Sequence, residues 1–118
     1  MGSYSQGCRT GDLVFTSGQI GLDPLTLKLV EGGIEAQIRQ TFANIKAICE
    51  AAGASLQSIV KLTVFLVHKE DWGHVNRIMN ELFGDSFPSR TAVGVVWLPL
   101  DAIVEIEAVA ATKSSDAG

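Results

Sequence analysis

The sequence is poor in the side chains that build metal sites and disulfide frameworks. Its 118 residues include only two cysteines, Cys8 and Cys49, which form no CxxC pair, and two histidines, His68 and His74. A structural zinc site needs four such ligands at closer spacing, so no metal centre is expected. Cys49 is interpreted as a small buried residue on a helix and Cys8 as a thiol in a loop.

Concentrated positive charge and long apolar runs are also missing. The nine lysines and arginines are scattered singly along a chain of net charge −4, which argues against a surface that contacts nucleic-acid phosphates. No apolar run is long enough to span a bilayer, so no membrane partner is expected. The N-terminus lacks a signal-peptide pattern, and the expected location is the cytoplasm. No P-loop or GxGxxG motif supports a nucleotide cofactor.

The sequence does contain an alternation of strand and helix patterns, which we interpret as a single domain spanning residues 1–118. Strands are predicted at 13–20, 27–30, 58–68, 90–98 and 103–111. Apolar spacings of three and four predict helices from 34 to about 52 and from 70 or 71 to 83. The polar residues 113–118 are predicted to be a disordered tail. This order is typical of an α+β fold with one sheet and two helices.

Two helices can cover only one face of such a sheet, yet several predicted strands are apolar on both faces. In strand 58–68, Leu62 and Val64 alternate with Phe65 and Val67. An uncovered apolar sheet face is the kind of surface that marks an interface. We therefore expect a homo-oligomer.

Three charged residues interrupt the last two predicted strands. Arg90 shares a face with the small residues Ala92 and Gly94, which leave space beside its guanidinium. Such a guanidinium suits a small carboxylate, to which it can donate two parallel hydrogen bonds. Glu105 and Glu107 share one face of strand 103–111, and a glutamate can act as a general base. The alternatives are a structural ion pair between Arg90 and a glutamate, which is the commoner use of strand charges, and glutamates that simply face solvent.

The distance between Arg90 and Glu105 can be worked out if their strands form a direct hairpin. With Leu98 opposite Ile103, Glu105 lies opposite Val96, which is six residues or about 20 Å from Arg90. A site that uses both side chains would then take them from two subunits.

Polar residues elsewhere are weaker candidates for a binding site. Gly18, in the TSGQ segment, permits close approach of a ligand to the backbone, although a strand-end glycine needs no ligand. Ser17 has no histidine on a predicted neighbouring element, which argues against Ser-His-acid catalysis. Tyr4 and Asn76 can each be interpreted as a structural residue or as a ligand contact.

Motifs along nearly the whole chain resemble the RidA (YjgF/UK114) family. They are VFTSGQIGLDP at 14–24, the run from Gly33 to Leu66, VN at 75–76, and FPSR followed by VEIEAVA between 87 and 110. The combination of PSR and EIEA is the most specific of them. The resemblance implies a chorismate-mutase-like α+β fold, a homotrimer with ligand clefts at the subunit interfaces, and an enzyme that needs no cofactor.

The same resemblance implies a reaction and a role for each candidate residue. The reaction is the hydrolytic deamination of 2-imino acids, such as 2-iminopropanoate and 2-iminobutanoate, to 2-keto acids and ammonia. Arg90 matches the arginine that binds the substrate carboxylate, and Glu105 matches the glutamate thought to position the hydrolytic water. The residues that match the substrate cleft are Tyr4, Ser17, Gly18 and Asn76.

Departures from the family pattern affect the expected substrate more than the fold. Ala92 stands where active members often carry cysteine, and Leu27 replaces the glycine of the DPxTG turn. The chain begins just before YSQG, about where the leading strand of the family should have ended, so no strand is predicted ahead of residue 13. Two alternatives stay open: a pathway-specific deaminase, for example of 2-aminomuconate, and a non-catalytic ligand-binding or interaction module.

Overall fold

A computed structural model describes residues 6–112, so Tyr4 and the predicted tail at 113–118 lie outside the described residues. The described residues form one five-stranded sheet and two α-helices. The strands are β1 (Gly7–Thr10), β2 (Leu13–Thr16), β3 (Ile59–Leu66), β4 (Ser89–Gly94) and β5 (Val104–Ala111). The helices are α1 (Gly33–Ala51) and α2 (Trp72–Phe83). The predicted α+β class with one mixed sheet is confirmed.

The order of the strands across the sheet is β1-β2-β5-β3-β4. The β3–β4 pair is parallel, and the other three pairs are antiparallel. The last two strands do not form the direct hairpin that the distance argument assumed, because β3 lies between β4 and β5, and that argument for a site shared between subunits therefore fails. A parallel β3–β4 pair needs a crossover, which α2 supplies.

The ends of several strands also differ from the prediction. β1 was not predicted, and it makes Cys8 a strand residue rather than a loop thiol. β1 is only four residues long and carries no alternating apolar pattern, so its pairing with β2 stabilises it rather than its own composition. β2 ends at Thr16 and β4 at Gly94, both earlier than predicted.

The predicted strand at 27–30 is wrong, because a turn occupies its start. The Asp23 carboxylate accepts hydrogen bonds from the backbone N–H groups of Leu25 and Thr26, at 2.7 and 3.3 Å. Leu27 then adopts a left-handed backbone with φ of 61°, which no strand contains. Only an isolated bridge between Leu22 and Leu29 remains.

The core lies between the helices and one face of the sheet. Most of the apolar stripe of each helix is buried there, as its spacing predicts; the buried members are Ile38, Phe42, Ile45, Cys49, Val75, Ile78, Met79 and Phe83. The stripe residues Ile34, Trp72 and Leu82 are partly buried. Phe42 and Phe83 join the two helices through an edge-to-face contact with ring centroids 5.9 Å apart. Burial of each such side chain contributes about 1.5–3 kcal/mol, so the stripes fix both helices on the sheet.

Polar contacts from α1 anchor the loop that follows β2. The Asn44 amide donates to the carbonyl oxygens of Ile20 and Leu22, at 3.1 and 2.9 Å. At Gly21, a Cβ atom would lie 2.8 Å from the Cα of Gln37, so only glycine permits this approach. The loop is therefore held rigidly beside the end of β2, where the TSGQ segment lies.

A closed ring of four charges joins the two helices at the surface. Arg39 contacts Glu35 and Glu81 at 3.1 and 2.8 Å, and Arg77 contacts the same two glutamates at 3.1 and 3.7 Å. The two arginines lower the pKa of the Glu35 carboxyl, chiefly through their hydrogen bonds to it. All four side chains are 42–48% exposed, so water and salt screen the ring.

Among residues 6–112, no helix covers the second face of the sheet. Leu13, Phe15 and Val93 lie on it, between 39% and 42% exposed, and Phe65 and Glu105 lie opposite each other on it. We call this surface the open face. Of the helices within residues 6–112, none has the length and apolar character to cross a membrane.

Candidate active site

Arg90 is held by side chains that α2 presents to it. Its Cζ lies 4.3 Å from the ring centroid of Trp72. Its Nη1 donates to Asn76 Oδ1 at 2.8 Å and contacts Met79 Sδ at 3.3 Å. These three residues follow one another at helical spacings of four and three, so they share one face of α2. Trp72 was not predicted as a site residue, because its position in the apolar stripe of α2 indicated a core residue.

No acidic side chain within residues 6–112 forms an ion pair with Arg90. The alternative of a structural bridge to a strand glutamate is therefore wrong for the described chain. A depression of about 380 Å³ opens beside the guanidinium, lined by Asn76, Met79, Asn80, Phe87, Pro88 and Arg90. The Arg90 guanidinium is thus held in one orientation, is accessible, and has no carboxylate within residues 6–112 that neutralises its charge. These properties suit an anionic ligand.

Glu105 lies over the backbone of the TSGQ segment. The sequence places Gly18 beside β5, and the backbone of Gln19 exchanges two hydrogen bonds with Ile106, at 2.8 and 2.9 Å. A Cβ atom at Gly18 would overlap the Glu105 carboxylate and lie 2.7 Å from its Cδ. Glycine at position 18 is therefore what allows the carboxyl to lie there.

The environment of Glu105 changes its acidity. Burial raises the pKa of the Glu105 carboxyl above its ordinary value, and the charge of Glu107 on the same strand raises it further. No other residue within 6–112 donates a hydrogen bond to this carboxyl that would stabilise its charge. A carboxyl of raised pKa can accept a proton and return it, as a general base requires.

Arg90 and Glu105 lie on opposite faces of the sheet. Arg90 is paired with Leu62, whose side chain is buried beneath the helices. Glu105 is paired with Phe65, on the open face. Their Cα atoms are separated by two strand spacings across the sheet and by three residues along the strands. The two displacements combine to about 14 Å. Within one chain the two side chains do not converge.

The candidate residues therefore fall into two groups. Asn76 contacts Arg90 on the helix face, whereas Gly18 contacts Glu105 on the open face. Ser17 belongs to the second group by its position, and its backbone N–H donates to the Gln6 carbonyl at 2.8 Å. Within residues 6–112, no group of three or more histidine, cysteine or acidic side chains is arranged to hold a metal ion.

Comparisons with known proteins give the family of this chain. The sequence profile of the family described as Endoribonuclease L-PSP matches residues 1–112. A RutC family protein of Pyrococcus horikoshii is 47% identical over 110 residues, covering 93% of this chain and 87% of that protein. The crystal structure of RidA from the Antarctic bacterium Psychrobacter matches with a TM-score of 0.90 at 44% identity, covering 93% of this chain and 89% of the other. The chain belongs to the RidA family.

Membership of the RidA family confirms the resemblance drawn from the motifs. One curated RidA relative, from Salmonella typhimurium, is named 2-iminobutanoate/2-iminopropanoate deaminase. It is 43% identical over 116 residues, covering 96% of this chain and 90% of that protein. Names within the RidA family thus differ, since the profile is named after a ribonuclease and this relative after a deaminase.

Proposed function

We propose that the chain is an enzyme that hydrolyses small 2-imino acids to 2-keto acids and ammonia. The observation that carries the proposal is the state of Arg90, an accessible guanidinium held by uncharged partners beside an open depression. A carboxylate placed against it would gain charge-assisted hydrogen bonds and displace no protein anion. The name of the Salmonella relative supports the same chemistry.

The proposed reaction needs few groups. Arg90 binds the carboxylate and so fixes the imine carbon. Glu105 takes a proton from a water molecule as its oxygen bonds to the carbon of the protonated imine, and the resulting tetrahedral intermediate carries both an amino and a hydroxyl group. Glu105 returns the proton to nitrogen, the C–N bond breaks to release ammonia, and the hydroxyl group gives its proton to Glu105 as its oxygen forms the C=O bond of the 2-keto acid. The raised pKa of Glu105 supports this role, because the group must both accept and return a proton.

We further propose that the site is shared between subunits of a homotrimer. Arg90 lies on an edge strand and Glu105 on the open face, so each side chain is accessible to a second copy of the chain. The partly exposed apolar side chains of the open face favour burial against such a copy. Ser17 and Gly18 would then line the cleft from the subunit that contributes Glu105, and Asn76 from the one that contributes Arg90. Tyr4 remains proposed as a substrate contact from its sequence match alone.

A direct assay tests the proposal. An amino-acid oxidase generates 2-iminopropanoate from alanine, and the decay of the imine is followed with and without the protein. Arg90→Ala should lower kcat/KM by about 10²- to 10⁴-fold, because two charge-assisted hydrogen bonds are lost. Arg90→Lys should recover only part of the activity, since lysine lacks the planar fork.

The matched control is Arg9→Ala, which removes an exposed arginine at the far edge of the sheet, on β1. It should leave kcat/KM unchanged. Wild-type protein that does not accelerate imine decay would overturn the proposal, and so would full activity of Arg90→Ala. The same preparations are incubated with single-stranded RNA, and cleavage of RNA without imine hydrolysis would favour the activity named in the family profile.

A further inference from the structure

Trp72 contacts both the apolar core and Arg90. It is the first residue of α2, it is half-buried, and it packs against the edge of the core. The Arg90 Cζ lies over its ring, 4.3 Å from the ring centroid. Attraction between a cation and an aromatic face is strongest for tryptophan among the aromatic side chains.

The contacts with α2 use only one of the three nitrogen atoms of the Arg90 guanidinium, among residues 6–112. Nη1 contacts Asn76 and Met79. Nε and Nη2 make no hydrogen bond to any other residue within 6–112. These two nitrogens lie along one edge of the planar group, with parallel N–H bonds that match the two oxygens of a carboxylate. The indole beneath Cζ and the two contacts of Nη1 restrain the orientation of the guanidinium.

Two depressions open along β4, one beside Arg90 and one beside Trp72. Arg90 lines the first depression, at the start of the strand. The second has a volume of about 340 Å³ and is lined by Leu66, Lys69, Trp72, Ala92, Val93 and Gly94. The two linings share no residue, and each contains one member of the contacting pair, Arg90 in the first and Trp72 in the second. Apart from Lys69, the second lining is apolar, and it has room for an aliphatic side chain.

We propose that Trp72 is a positioning residue for Arg90 that also restricts the site to 2-imino acids with short side chains. This inference rests on the proposed function, and it names the substrate class of the same site. The indole orients the Nε–Nη2 edge towards the carboxylate. The same indole closes the apolar depression to a ligand held by that edge.

Three substitutions separate these two effects. Trp72→Leu keeps apolar bulk but removes the aromatic face, so KM for 2-iminopropanoate should rise about 2- to 30-fold with little change in kcat. Trp72→Phe keeps an aromatic face and should stay within about threefold of wild type. Trp72→Ala should open the second depression and raise kcat/KM for 2-imino-4-methylpentanoate relative to that for 2-iminopropanoate at least tenfold, since burial of several methyl and methylene groups becomes possible.

Structural damage would not reproduce this pattern. Circular dichroism, thermal unfolding and size-exclusion chromatography accompany each variant, and a general loss of structure would lower kcat and would affect both substrates alike. The matched control is Leu25→Ala, which removes a 91% exposed apolar side chain outside both depressions and should change neither constant.

The outcomes distinguish this inference from the proposed function. An unchanged KM in Trp72→Leu would overturn the positioning role, and an unchanged substrate ratio in Trp72→Ala would overturn the restriction; in either case wild-type turnover would still support the proposed function. Wild-type protein that turns over no imino acid would sink the proposed function instead. Binding of 2-oxobutanoate, measured by calorimetry, then reports on Arg90 without catalysis, and equal affinity of wild type and Trp72→Leu would overturn the inference.

Discussion

Mixing two inactive variants should restore activity if each site takes Arg90 from one subunit and Glu105 from the next. The reasoning starts from the sheet, in which Arg90 is paired with Leu62 beneath the helices and Glu105 with Phe65 on the open face. Their Cα atoms are about 14 Å apart, and their side chains leave the sheet in opposite directions. No rotamer change within one chain brings the guanidinium and the carboxyl to one small substrate.

The share of intact sites in the mixture follows from counting the combinations of the two variant chains. Arg90→Ala and Glu105→Gln are each expected to be inactive alone. In a one-to-one random mixture, a site is intact when its arginine comes from a Glu105→Gln chain and its glutamate from an Arg90→Ala chain. Each condition holds with a probability of one half, so about a quarter of the sites should be intact.

The assay is hydrolysis of 2-iminopropanoate after the two variants are unfolded together, refolded and purified as one oligomer. A mixture of Arg90→Ala with the double variant Arg90→Ala/Glu105→Gln is the control, and it should stay inactive because no chain supplies Arg90. If the first mixture regains nothing although subunit exchange is verified by mass spectrometry, the two residues do not share an intersubunit site and the reasoning is refuted.

Three further predictions concern acidity and stability. The acidic limb of the kcat/KM profile should lie above the ordinary pKa of a carboxyl, because the pKa of Glu105 is raised, and Glu107→Gln should move the limb to lower pH by removing a neighbouring negative charge. Leu27→Gly should raise Tm by about 4 °C. The reason is that the left-handed φ of 61° costs a leucine about 1–2 kcal/mol, whereas it costs a glycine almost nothing. An unchanged or lower Tm would contradict this. The lowered pKa of Glu35 means that its contribution to stability is present above the ordinary carboxyl pKa and is lost as the pH falls through the lowered value. Glu35→Gln should therefore lower Tm at neutral pH, by an amount that shrinks in acid and in high salt; a difference independent of both would argue against the ion pairs as its cause.

The helices could be predicted from the sequence because their apolar stripes are long and regular. The stripe of α1 runs from Ile34 to Cys49, about four turns, and its members are buried where the spacing requires except for Ile34, which is partly buried. Strand ends were predicted less well, since they depend on pairing partners that composition does not reveal. Leu27 shows the difficulty: its β-favouring neighbours predicted a strand, but the turn capped by Asp23 determines its backbone.

The candidate site was only partly predictable, for a related reason. Arg90 and Glu105 are conspicuous as charges within strands, and the pattern identifies them without knowledge of the fold. Trp72 is apolar and lies in the stripe of an amphipathic helix, so the same reasoning assigned it to the core. The signal that could have found it is the spacing of Trp72, Asn76 and Met79, which brings an aromatic face, an amide and a thioether to one helix face opposite an arginine.

The separation of about 20 Å fails together with the hairpin that it assumed. The registers of the observed strands support the proposed shared site on a different ground, which is the face of the sheet on which each side chain lies. Side chains alternate between the two faces of a strand, and paired residues of neighbouring strands share a face. The β3–β4 register pairs Arg90 with Leu62, and the β3–β5 register pairs Glu105 with Phe65. Leu62 and Phe65 are three residues apart on one strand, an odd number, so their partners must lie on opposite faces. In the assumed hairpin, Arg90 and Glu105 are separated only along the strands. In the observed strand order they lie on opposite faces of the sheet. In the proposed shared site, a substrate that contacts both groups lies where a second copy of the chain meets an edge of the sheet, and the edge beside Arg90 is the nearest one, because β4 has no strand beyond it within the described residues.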